Sequence, residues 1–152
     1  MPDCFISHAA IDAELADRVK SILSEQNLDA FVAPLSISPG GDWAEEVRAA
    51  LLGSRLIIFL ASREACRSPY VNQELGGAWF AKKRVIPVVW DMDPAELPGW
   101  ISRSQAIRLM GDAGDLADQV RKLADSVKAE DAKVLFVALV ALGAALFLGR
   151  GS

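Results

Sequence analysis

Three segments decide the fold: Arg55-Leu56-Ile57-Ile58-Phe59-Leu60, then Ser68-Pro69-Tyr70-Val71-Asn72-Gln73-Glu74-Leu75-Gly76-Gly77-Ala78-Trp79, then Val85-Ile86-Pro87-Val88-Val89. The first is an apolar run too short for a helix and reads as a buried strand. In the second, Ser68 is a good N-cap, and Pro69 suits the first helical position, where its missing N–H would have had no partner within the helix. Val71, Leu75, Ala78 and Trp79 fall at i, i+4, i+7 and i+8, the buried stripe of such a helix, with Trp79 read as core. The third segment is again a strand, and Pro87 argues against its being paired along both edges.

Outward from this unit the alternation continues. Cys4-Phe5-Ile6-Ser7 reads as a strand opening into a loop, Ala30-Phe31-Val32-Ala33 as a second, and Gln105 to Leu109 as a fifth. Asp12 is a candidate N-cap for a helix with Leu15, Val19, Ile22 and Leu23 on one face, and Asp42 for a helix running to Leu52. Pro34 to Asp42, with two prolines and two glycines, reads as an irregular loop. Leu116, Val120, Leu123 and Val127 mark a further amphipathic helix. Strands alternating with such helices imply an α/β fold, a five-stranded parallel sheet with helices on both faces. Ligands in that architecture bind outside the carboxyl ends of the strands, where the loop after Ser7, the Pro34–Asp42 loop and the start of the Ser68 helix all lie.

Glu74 stands at the edge of its helix's apolar stripe, on the side shared by Tyr70 and Gly77, where it can reach a cleft. Gly77 and Ala78 leave space beside it. Two glycines inside a helix cost roughly 1 kcal/mol each relative to alanine and ask for a packing or ligand reason. The competing reading is a solvated carboxylate on an amphipathic helix.

The 152 residues suit one domain, and 52% hydrophobic content is ample for a core. A net charge of −4 and the absence of basic residues interleaved with aromatics disfavour a nucleic-acid surface. Lys82-Lys83-Arg84 reads as a solvated helix end. Cys4 and Cys66 lie too far apart for a ligand spacing and read as reduced thiols, with no metal site expected. Met1-Pro2-Asp3 begins no signal peptide.

Val134 to Gly149 carries no charge between Lys133 and Arg150. Its helical span of roughly 24 Å falls a little short of the ~30 Å hydrocarbon core, a deficit that snorkelling of the flanking cations can cover. The division expected is a domain over 1–131 and a single transmembrane helix over 132–150, with burial or packing in an oligomer as the alternatives. Lys122, Lys128 and Lys133 on its N-terminal side place the domain in the cytoplasm, at the cell membrane.

Together, Phe5-Ile6-Ser7-His8, the Gly/Pro loop from Ile37 to Trp43, and Ser68-Pro69-Tyr70 leading to Glu74-Leu75 resemble the Toll/interleukin-1 receptor (TIR) domain, especially bacterial ones, over about residues 3 to 130. The resemblance implies a flavodoxin-like fold and, for many members, cleavage of NAD+ at the nicotinamide–ribose bond, in bacterial defence or cell-death signalling. NAD+ would be substrate, with no cofactor. The family's catalytic glutamate falls on Glu74, and its aromatic or Cys four residues earlier on Tyr70. Phe5, Ser7, His8, Trp43 and Tyr70 are the implied substrate-binding positions. The loop from Pro34 to Trp43 is the implied site of TIR–TIR contacts that build a homo-oligomer. Ala33-Pro34 stands where an acidic residue is frequent. Ala9-Ala10 stands where NAD-cleaving members often carry basic residues, which leaves His8 and helix N-terminal amides to meet the phosphates. Trp43 fits a ring-stacking role or a packing anchor, and His8 a binding role or none. One ionised carboxylate suffices for this chemistry, because nicotinamide leaves as a neutral pyridine and only an oxocarbenium-like ribose needs stabilising. Proximity to the helix N-terminus is expected to keep Glu74 charged. Two alternatives share the fold: a non-enzymatic adaptor acting by TIR–TIR contact, and a synthase of a cyclic ADP-ribose signal.

Overall fold

The structure, a computed structural model, describes residues 1–33, 43–104, 106–109 and 113–148, with the backbone alone at 43, 100, 113, 114 and 144–148. Five strands form one parallel sheet in the order β2-β1-β3-β4-β5, with β1 Cys4–Ser7, β2 Ala30–Val32, β3 Leu56–Leu60, β4 Arg84–Val89 and β5 Ile107–Arg108. The helices are α1 Ala13–Glu25, α2 Trp43–Gly53, α3 Arg63–Arg67, α4 Pro69–Phe80 and α5 Ala113–Leu148. The expected architecture is therefore present, and the period-two pattern explains it. Leu56, Ile58 and Leu60 of β3 join the core layer formed with α1 and α5, whereas Ile57 and Phe59 join the layer that takes in α2, α3 and α4. Both faces are covered, which is why these strands read as continuous apolar runs.

Pro87 behaves as expected. It sits opposite Phe59 on the β3 side, while pairing with β5 begins only at Val88, so its missing N–H interrupts no ladder there. The fifth strand shrinks to two residues, and the short helix α3, absent from the sequence reading, fills the turn after β3. Asp12 does precede α1, but its side chain caps nothing. It instead accepts a hydrogen bond from Ser62 Oγ, while the same Ser62 oxygen accepts from Ala65 N and caps α3. That pair bridges the loops after β1 and β3, the two strands between which the sheet order reverses. Ser68 caps α4 as expected, accepting from Val71 N at 3.3 Å with Pro69 in the first turn.

Two expectations need correction. Trp79 is not core: it is 60% exposed. The apolar segment after residue 131 is not a separate element but the continuation of α5, whose buried residues Leu116, Val120, Leu123 and Val127 pack on the sheet. From 128 to 143 every side chain is exposed. Among the described residues no helix is long and apolar enough to cross a membrane; Lys128, Glu130, Asp131 and Lys133 occupy the near end of the segment, and its far side chains lie outside the description. Two ion pairs hold α5 as it leaves the domain, Arg84 to Glu130 at 2.5 Å and Arg55 to Asp131, with Arg55 also bound to Asp3 at 2.6 Å. The loop over 34–42, including Asp42, and the TIR–TIR contacts expected of it lie outside the described residues.

Candidate functional site

Ser7 ends β1 and Glu74 is the sixth residue of α4, and the sheet–helix packing brings them together. Ser7 Oγ donates to Glu74 Oε2 at 2.6 Å. Ser7 is fully buried and Glu74 is 8% exposed, so the carboxylate is an inward-facing group. Tyr70, one turn earlier on α4, directs its buried hydroxyl to the same carboxylate. Burial pushes the Glu74 pKa up to about 7, against the opposing pull of the Ser7 and Tyr70 hydrogen bonds. The expectation that the helix N-terminus would keep it charged is thereby overturned. Dipole influence fades beyond the first turn, and desolvation wins at this depth. The Tyr70 phenol is pushed well up by burial and by its acidic neighbour.

Glu74 stands in the wall of a cleft of about 670 Å³ between α2 and α4, with its Oε1 turned inward and buried. Val47 and Leu51 supply apolar wall from α2, Phe80 a rim from α4, and Arg48, Gln73 and Tyr70 the polar groups besides Glu74. Gly77 lines it too, and a Cβ there would meet only Leu51 Cδ2, at 3.9 Å. Packing therefore does not require glycine at 77, and the space it leaves belongs to the cleft. At Gly76 a Cβ would meet nothing within 4 Å.

The remaining sequence candidates are placed differently. Phe5 is fully buried in the core and stacks on Phe31 with ring centroids 5.6 Å apart, so it supports the site from below instead of lining it. His8 is 4% exposed, with Nδ1 2.8 Å from Ala9 O and Nε2 3.0 Å from Ala33 O. Its ring ties the end of β1 to the end of β2 and faces carbonyls, not the cleft. Trp43 heads α2, and its side chain lies outside the description. Sequence reading missed Arg48; the signal lay in its helical spacing from Leu51, which places it on the same face. Cys4 and Cys66 are free thiols, and burial raises Cys4 to about 11. Among the described residues no cluster of three or more His, Cys, Asp or Glu could hold a metal. A second groove, of about 650 Å³, lies between β4, β5 and α5 and is lined by Lys83, Arg84, Arg108 and Lys122. None of its lining residues carries a carboxylate.

A doubly wound parallel sheet in the order β2-β1-β3-β4-β5 defines a flavodoxin-like class of domain. Residues 4–136 match the family described as TIR domain, and the chain belongs to that family. Over 97 residues it is 26% identical to the probable 2′ cyclic ADP-D-ribose synthase BdTIR of Brachypodium distachyon, covering 62% of this chain and 43% of that protein. The chain thus spans under half the length of that relative. The TIR domain of the Toll-related receptor TRR-2 from Hydra magnipapillata superposes with a TM-score of 0.67 at 19% identity, over 84% of this chain and 99% of that one. A metazoan TIR-STING receptor from C. gigas in complex with 2′,3′-cGAMP gives 0.66 at 19% identity, over 82% of this chain and 40% of that one. Likeness at this identity speaks for the fold.

Proposed function

We propose that this TIR domain cleaves NAD+ at the nicotinamide–ribose bond, with Glu74 as the catalytic carboxylate. The observation that carries the reading is a buried glutamate, held by Ser7 at 2.6 Å, on the wall of a cleft large enough for a nucleotide. In the reaction the C1′–N bond breaks and its electron pair stays on nitrogen, so nicotinamide leaves neutral. Positive charge develops on the ribose, and ionised Glu74 stabilises it directly or through the ribose hydroxyls. Water then bonds to C1′ and releases a proton to the carboxylate and on to solvent, giving ADP-ribose. The pKa of about 7 suits a group that must be ionised in the transition state yet accept a proton afterwards. Similarity to a probable cyclic ADP-ribose synthase favours a second outcome at the same centre, in which a hydroxyl of the substrate replaces water.

In this reading copies assemble through loop 34–43, and the apolar end of α5 fastens the domain to a bilayer on its cytoplasmic side. Val134, Leu135, Phe136, Val137, Leu139, Val140 and Leu142 are 55–70% exposed and cover all sides of the helix. Such a helix requires apolar surroundings on every face. The test is NAD+ turnover on liposomes by wild type beside Glu74→Gln, with mass spectrometry of the product. Equal turnover by the variant refutes the assignment, and an inactive, assembled wild type leaves the adaptor reading. Flotation with vesicles, lost on deletion after Asp131, tests the attachment.

A further inference from the structure

A dinucleotide brings negative charge on each of its two phosphates, and the side chains expected to meet them are engaged or missing. Ala9 and Ala10 follow β1, and both His8 nitrogens face main-chain carbonyls. Among the described residues lining the α2–α4 cleft, Arg48 is the one cation. Its position is informative. Both helices return from parallel strands onto the same face of the sheet, so they run side by side in one direction. Leu51 meets the Gly77 position. One turn back from that contact, Arg48 on α2 and Glu74 on α4 stand at the same level. Packed helices lie about 8–10 Å apart, a gap that an arginine side chain crosses.

Arg48 is also available. Its Nη1 pairs with Glu45 Oε1 at 2.9 Å, and the two side chains are 66% and 71% exposed. An exposed i,i+3 pair of this kind is readily exchanged for a better partner. A guanidinium presents a planar fork that matches phosphate oxygens, and Gln73 on the same wall adds a neutral donor.

We propose that Arg48 is the pyrophosphate anchor of this cleft: it leaves Glu45, binds the phosphates, and so sets the nicotinamide ribose beside Glu74. The inference rests on the NAD+ reading and adds the group that selects a dinucleotide over a simple riboside. Because the phosphates do not change during cleavage, the contact is equally strong in ground and transition states, and its loss is read in KM.

The experiment compares wild type, Arg48→Gln, Arg48→Lys and Glu45→Gln by steady-state kinetics with NAD+ and with nicotinamide riboside, and by calorimetric titration with ADP-ribose. Arg48→Gln is expected to raise KM for NAD+ about tenfold, to leave kcat within about twofold, and to weaken ADP-ribose binding by the same factor as KM. Turnover of nicotinamide riboside, which has no phosphate, is expected to stay unchanged. Arg48→Lys should recover part of the loss, and Glu45→Gln, which frees the guanidinium, should tighten ADP-ribose. An active wild type with Arg48→Gln indistinguishable from it overturns the anchor alone. ADP-ribose binding that depends on Arg48 in a protein that turns over no NAD+ upholds the anchor and overturns the cleavage reading. Neither binding nor turnover by wild type overturns both.

Discussion

Ser7 and Glu74, 67 positions apart in the chain, share a 2.6 Å hydrogen bond in which the serine hydroxyl donates to the carboxylate. The bond joins the end of the interior strand β1 to α4, so the carboxylate is held by the sheet as well as by its own helix. A group positioned from two directions keeps its orientation when substrate enters, and that preorganisation is what electrostatic catalysis requires.

The raised pKa of Glu74 makes stability, and with it the proposed activity, depend on pH. The proposed NAD+ cleavage needs the ionised form, so its rate is expected to rise with pH through about 7. Stability runs the other way. Between the unfolded value near 4.5 and the folded value near 7 the native state holds a proton that the unfolded chain has lost, so stability falls as pH rises across that window, by roughly 1 kcal/mol per unit. Glu74→Gln is expected to abolish turnover and to flatten this slope. Urea denaturation at pH 5 and pH 8 checks it: a variant with the wild-type slope contradicts the assignment.

Ser7→Ala removes a donor that holds the Glu74 pKa down. The midpoint of the pH–rate profile should therefore move above its wild-type position, with stability lower by about 1–3 kcal/mol because the buried carboxylate loses a partner. An unshifted midpoint in a folded variant would mean that the hydroxyl does not act on the titrating group.

Ser62→Ala should cost about 1–3 kcal/mol, since one oxygen serves two ends: it caps α3 through Ala65 N and donates to the buried Asp12. Burial already raises the Asp12 pKa against the pull of Ser62, so the loss should be larger at pH 8 than at pH 5. Thermal melts at the two pH values measure the difference.

Gly76→Ala should stabilise the protein by about 0.5–1 kcal/mol, because the site is helical, exposed and open around the missing Cβ. Activity should not change. Gly77→Ala gains similar helix propensity but puts a methyl into the cleft, so its signature is a stabler protein that binds ADP-ribose more weakly. Melting temperatures and calorimetry separate the two.

The comparison of Glu74 with Trp79 shows where local reasoning stops. On a helix of 100° per residue the stripe of Val71, Leu75 and Ala78 leaves both residues on its borders, about 70° to either side of the centre. Periodicity treats them alike. The neighbours decide: α2 packs alongside α4 on the Glu74 border, burying the carboxylate and leaving Trp79 60% exposed. Strand order and core layers were legible because period-two burial on two covered faces is written in β3 and β4 themselves. Ser68 and Pro69 likewise marked the start of α4 by local chemistry. Neither the five-residue helix α3 nor the Asp12–Ser62 bond could be read, one because it is too short to show a stripe, the other because its partners lie 50 positions apart. The ionisation of Glu74 was misread for the same reason as Trp79, since desolvation depends on what packs from elsewhere.

The ion pairs Arg55–Asp131 and Arg84–Glu130 grip α5 beside the first residues of β3 and β4, while Ser7 and the opening turns of α4 stand at the other end of the strands. A support that seizes the tail therefore holds every molecule upright with its mouth away from the support. Neighbours so planted would share one heading and would meet across a plane, not through a volume.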